Sequence, residues 1–164
     1  MRFLERIEIV EWCTSNGIAL DADGDLKLDP RLASTSTATY ATSGRSGLEP
    51  EVAAAAVDAL GSFDSCLLWA VGWGIWPSSE DWPAFYALRE DQNERRSIDQ
   101  SPGHLFGSDE ADSLLRFLTS ALENGWDAQV IPMLEGVNAR RLRVSHDGYV
   151  ELASIEPQHI ARPV

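Results

Sequence analysis

The chain has 164 residues, with 26 Asp plus Glu against 13 Lys plus Arg and a formal net charge of -13. At 44% apolar residues with six tryptophans it can fill one hydrophobic core, so intrinsic disorder is excluded and a single domain is expected over 1–164. The acidity argues against nucleic acid and anionic membranes, both of which call for clustered Lys and Arg.

In chain order, Leu4, Ile7 and Val10 at spacing three predict an amphipathic helix over 2–15, stopped by Asn16-Gly17. Leu20, Leu26 and Leu28 alternate around the Asp-Gly signal of 21–25 and predict a hairpin. Residues 34–47, rich in Ser, Thr and Gly, read as a flexible loop in preference to an edge strand around Thr39-Tyr40. Pro50, Glu51 and the alanine run predict a helix ended by Gly61. The apolar run Leu67 to Trp73 predicts a strand covered on both faces. A helix carrying Trp82, Phe85, Tyr86 and Arg89 follows, capped by Ser78, Ser79 or Asp81, with Pro83 in its first turn and an end before Asn93.

Residues 101–107 predict a turn and a short apolar anchor, and Ser108 is the expected cap of a helix whose apolar face is Leu114, Leu115, Leu118, Ala121 and Leu122, stopped by Asn124-Gly125. Three antiparallel strands are expected at 128–134, 140–145 and 149–153, the last two joined at His146-Asp147-Gly148, with a tail at 156–164. The fold class that follows is α+β, one domain, a mostly antiparallel sheet with helices packed on one face.

Candidate chemistry is sparse. Cys13 and Cys66 stand alone, outside any CxxC pair, and read as buried thiols. Asp21, Asp23 and Asp25 alternate like calcium ligands, but Gly24 comes too early and Leu32 stands where a bidentate Glu is required, so neither a metal nor a cofactor is expected. His104 and His146, the latter beside Asp147, could serve acid–base catalysis; as turn residues they have a sufficient structural role. Arg141 and Arg143 share a strand face on which neighbouring carboxylates would pair with them.

Charge is unevenly spread: residues 46–88 hold no Lys or Arg but carry four of the six tryptophans. Within that stretch Trp73, Trp76 and Trp82 flank Glu80 and Asp81, the composition of a surface that presents rings for contact and carboxylates for the Arg and Lys of a basic protein. The structural alternative is that Trp73 and Trp76 pin their loop onto the sheet. The segments Trp73 to Trp82, Pro102 to Phe106 and Ser145 to Gly148 resemble a family of small acidic bacterial proteins with no assigned activity, over about residues 65–152. In size, acidity and aromatic content the chain is also similar in type to bacterial immunity proteins, which neutralise basic toxins. That likeness implies a protein-binding module with a basic protein partner; the alternative is a small hydrolase or transferase using His104 or His146 with Asp147. A cytoplasmic setting is expected because no apolar run approaches the roughly 20 residues that span a bilayer and Met1 to Arg6 lack the apolar stretch of a signal peptide.

Overall fold

The computed structural model describes residues 1–22, 25–27, 37–42, 47–72 and 83–154. Seven strands form one antiparallel sheet: β1 (Arg2–Leu4), β2 (Thr37–Ala41), β3 (Ser65–Gly72), β4 (Gly103–Gly107), β5 (Asp127–Met133), β6 (Arg140–Ser145) and β7 (Tyr149–Ser154). Their spatial order is β1-β4-β3-β5-β6-β7-β2. Four helices pack against the sheet, α1 (Arg6–Ser15), α2 (Glu49–Leu60), α3 (Pro83–Glu90) and α4 (Ala111–Glu123), which makes the chain an α+β domain.

Strand alternation divides the core. Cys66, Leu68 and Ala70 of β3, Ala128 and Val130 of β5, Leu142 and Val144 of β6 and Val150 and Leu152 of β7 point to one face, beneath α2 and α4. The intervening Leu67, Trp69, Ile131 and Met133 point to the other face, where α1 buries Ile9 and Cys13 over them. β3 and β5 are thus apolar on both faces, which is why Leu67–Ala70 reads as a continuous apolar run. The expected single α+β domain and antiparallel sheet hold; among the described residues the two longest helices share a face, while α1 crosses the opposite one.

Four local expectations change. Arg2–Leu4 is a strand, paired with Gly103–Leu105, and the helix starts only at Arg6, where the Glu5 amide donates to the Glu8 carboxylate at 2.8 Å. That pairing sets the helix phase, so Ile9 and Cys13 are buried while Ile7 is 65% exposed. The loop expected over 34–47 contains the edge strand β2, whose Ala38 and Tyr40 pack on the core and whose backbone pairs with β7 from Thr37↔Ala153 to Ala41↔Tyr149. Residues 103–107 are strand β4, inserted between β1 and β3, where an apolar anchor was expected. Ser108 is not the cap of α4: the helix opens at Ala111, and Glu110 accepts the Gly107 amide at 2.8 Å.

Other boundaries follow their sequence signals. Pro50 sits in the first turn of α2, and Gly61, with φ +73°, ends it in a conformation that a side chain would resist. Pro83 opens α3, which ends before Asn93. The hairpin expected over 18–28 survives in its described part as the Leu20↔Leu26 bridge. Arg89 of α3 is buried: its guanidinium donates to the Arg96 carbonyl at 2.6 Å and to the Ser101 hydroxyl at 2.5 Å, and lies 4.9 Å from the Phe3 ring centre. This one side chain ties α3, the 94–101 connection and β1 together. Among the described residues no helix is long and apolar enough to cross a membrane.

Candidate functional site

Trp73, Trp76, Glu80, Asp81 and Trp82, the residues expected to meet a basic partner, lie outside the described residues, as do Ser78 and Ser79, the other expected caps of the following helix. Their attachment points are described. β3 ends at Gly72, beside Asp127 of β5, and α3 begins at Pro83.

Strand pairing builds a polar row on the α1 face of the sheet. Trp69 pairs with Gln129, Gln129 with Arg143, Arg143 with Glu151 and Glu151 with Thr39. Arg143 is bridged to Glu151 at 3.3 Å, as expected of a shared strand face, whereas Arg141 is buried and donates to the Lys27 carbonyl at 3.3 Å. At the β3 end of this row lies a cleft of about 460 Å³ lined by Arg6, Asp25, Trp69, Val71, Asp99 and Gln129. Arg6 on its wall is paired with Asp25 at 2.9 Å and lies 5.9 Å from the centre of the Trp69 ring.

Two residues from Gln129, about 7 Å along β5, Asp127 meets His146 from the β6–β7 turn. The Asp127 carboxylate accepts the His146 amide at 3.1 Å and holds the ring Nδ1 at 2.9 Å. With Nδ1 engaged, Nε2 faces solvent and Asp147, whose carboxylate is 3.6 Å away. The carboxylate that orients His146 is therefore Asp127, distant in sequence, and not the adjacent Asp147. Hydrogen bonding to Asp127, then its charge and that of Asp147, raise the imidazole above its ordinary value. The ring is exposed, and Asp127 both orients it and favours its protonated form, so the pair presents a positioned imidazole that can exchange a proton with solvent.

His104 is different in every respect. It is fully buried on β4, with ring centres 5.3 Å from Phe3 and 4.6 Å from Phe117. Burial, and then the charge of Arg89, push its imidazole down to about 3, while backbone hydrogen bonds with Leu68 and Pro102 act in the opposite direction. The ring is a neutral core side chain, with no exposed edge for a substrate.

The thiols are inert by the same reasoning. Cys13 and Cys66 are buried and free, and burial raises Cys13 to about 11, against the opposing charge of Arg141, and holds Cys66 higher still. Asp25 is committed to Arg6, and its amide is bonded to the Asp21 carboxylate at 2.9 Å. Among the described residues no group of three His, Cys, Asp or Glu side chains comes together in a way that could hold a metal ion.

Residue patterns pointed to His146 and missed Asp127, Gln129, Arg6 and Asp99. The alternation Asp127, Gln129, Ile131 carries a partial signal, since it assigns the first two to one strand face, but only the register of β3, β5 and β6 brings Gln129 to the cleft and Asp127 to His146. Comparison of the chain with family models, with curated proteins and with solved structures finds no match.

Proposed function

We propose that this chain is a binding module for a basic protein partner, of the kind that occupies and neutralises it. The observation that supports this reading is the unequal fate of the charges. Arg89 and Arg141 are buried, Arg6 is held by Asp25, Arg96 by Glu94 and Glu5, and Arg143 by Glu151. Exposed carboxylates, among them Glu51, Asp58, Asp64, Asp91, Asp112 and Glu123, outnumber the remaining exposed cations among the described residues, Arg2, Lys27, Arg95 and Arg116. A field of one sign raises encounter rates with a surface of the other. Trp73, Trp76 and Trp82 with Glu80 and Asp81 are the proposed contact set, and the proposed setting is the cytoplasm.

The test is capture of the partner by crosslinking, followed by kinetics on variants. A basic partner is expected. Trp76→Ala should weaken the complex by about 2 kcal/mol or more, as loss of an aromatic anchor does. Charge reversal at Glu80 and Asp81 should slow association and flatten its dependence on salt. An acidic or neutral partner defeats the reading.

A second reading, a small hydrolase or transferase, is favoured by one observation, the His146–Asp127 pair two residues along β5 from the cleft residue Gln129. Asp127 would fix the ring so that Nε2 takes a proton from water or a substrate hydroxyl. A screen against esters, phosphodiesters and glycosides, with His146→Ala lowering any turnover by about a hundredfold in a folded protein, would favour this reading over the first.

A further inference from the structure

On the outer surface of the helical layer, α2, α3 and α4 enclose a groove of about 440 Å³. Its walls are Pro50 at the start of α2, Ala87 and Leu88 on α3, and Leu115 and Thr119 on α4. Leu88 and Leu115 are only half-buried against the core, so each leaves apolar surface open to the groove. Leu115 belongs to the apolar face of its helix, as expected, but lies at its margin: the buried positions are Leu114, Phe117, Leu118, Ser120, Ala121 and Leu122.

Two charged side chains line the groove, Asp91 and Arg116. Apart from Arg116, the exposed charged side chains on these three helices are all acidic. Glu49 and Glu51 flank Pro50, Glu90 precedes Asp91, Asp112 stands about one turn before Leu115 and Arg116, and Glu123 one turn after Thr119. The other cation on these three helices, Arg89, is turned into the core.

We propose that this groove receives an amphipathic helix of the partner, with aliphatic side chains seated between Leu88 and Leu115 and flanking Lys or Arg meeting the carboxylate rim. The inference rests on the reading of the chain as a binder of basic protein and gives that reading a described surface. α3 begins at Pro83, directly after Trp82, so the groove and the tryptophan-bearing segment are continuous along the chain. Apolar contact supplies the affinity, and the carboxylates select a cationic helix over an acidic one. A second copy of this chain is disfavoured as occupant by the mutual repulsion of two molecules at -13.

The test uses two labelled synthetic peptides of about 18 residues, five helical turns, followed by fluorescence anisotropy. One places leucines on a single helical face among lysines and arginines; the other has the same composition scrambled, so that the leucines share no face. The amphipathic peptide should bind at least about tenfold more tightly than the scrambled one, and Leu88→Asp should remove most of that difference. Arg116→Glu, an exposed substitution that exchanges the groove's cation for a carboxylate, should strengthen binding of the amphipathic peptide by about threefold or more. Damage to the fold cannot mimic that gain. Equal binding of the two peptides, or affinity unmoved by both substitutions, overturns the groove. So does self-association of the chain that Arg116→Glu alters, because the occupant is then a second copy. Failure of the underlying reading is scored separately: an acidic or neutral captured partner defeats it, whereas a basic partner sensitive to Glu80 and Asp81 reversal but indifferent to Arg116→Glu defeats the groove alone.

Discussion

His104 and His146 carry the same side chain and are driven in opposite directions by their surroundings. His104, enclosed by Phe3 and Phe117, is held neutral down to about 3, whereas the unfolded chain protonates it near the ordinary value of 6.5. Protons therefore favour the unfolded state as pH falls below 6.5, and the stability present above that value is lost progressively toward 3. Urea unfolding measured from pH 7 to 4 should show the folding constant dropping by up to about tenfold per pH unit from this group, and His104→Leu should flatten the slope. An unchanged slope in the variant would mean that the imidazole is not the proton acceptor. For His146 the sign reverses: Asp127 favours its charged form, so its contribution is full below 6.5 and is lost as pH rises through its raised folded value. An NMR titration should place the His146 midpoint above that of an unstructured histidine peptide, and Asp127→Asn should lower it toward the peptide value, leaving the smaller effect of Asp147. The sequence offers both histidines as polar turn residues; one is a core side chain and one an oriented surface base because residues far away in the chain, Phe117 and Asp127, come to face them.

At the scale of elements, the contact between α1 and β4 shows how closely the layers approach. A Cβ added at Gly103 would lie 2.7 Å from Ile9 Cγ1 and 2.9 Å from Leu4 Cβ. Ile9 and Leu4 are fully buried, so neither can yield without moving the helix or the edge strand. Gly103→Ala is expected to destabilise the fold by about 1–3 kcal/mol, the scale of overpacking, read from denaturant midpoints. A neutral result would mean that α1 shifts freely on the sheet. Helices α2 and α4 and strands β5 to β7 were legible in the sequence, because Pro50, Gly61, Asn124-Gly125 and Asp147-Gly148 punctuate them and their apolar periods are unbroken. Strands β1, β2 and β4 were not. Each has three to five residues, too few to establish a period, and each becomes a strand by hydrogen bonding to a neighbour that sequence spacing does not reveal.

For the whole molecule the dominant feature is charge. At -13 the compact state repels itself, and the ion pairs Arg6–Asp25, Arg96–Glu5 and Arg143–Glu151 are exposed enough to offset little of that repulsion. Raising NaCl from about 0.02 to 0.3 M should therefore increase the melting temperature, since screening relieves repulsion over a range that contracts toward about 6–8 Å. A fall in melting temperature would show that the paired arginines outweigh the surplus carboxylates. The amino-acid sequence by itself determined the sign and excess of that charge, the one-domain α+β class, the burial of both cysteines and the two-sided strand at Leu67–Ala70, because composition and local periodicity are properties of adjacent residues. Only the tertiary structure decided the strand order, the crossing of α1 on the far face, the Asp127–His146 pair and the groove between Leu88 and Leu115. Each of those depends on which residues, tens of positions apart, are brought into register, and that choice is made by the collective burial of apolar side chains on both faces of the sheet.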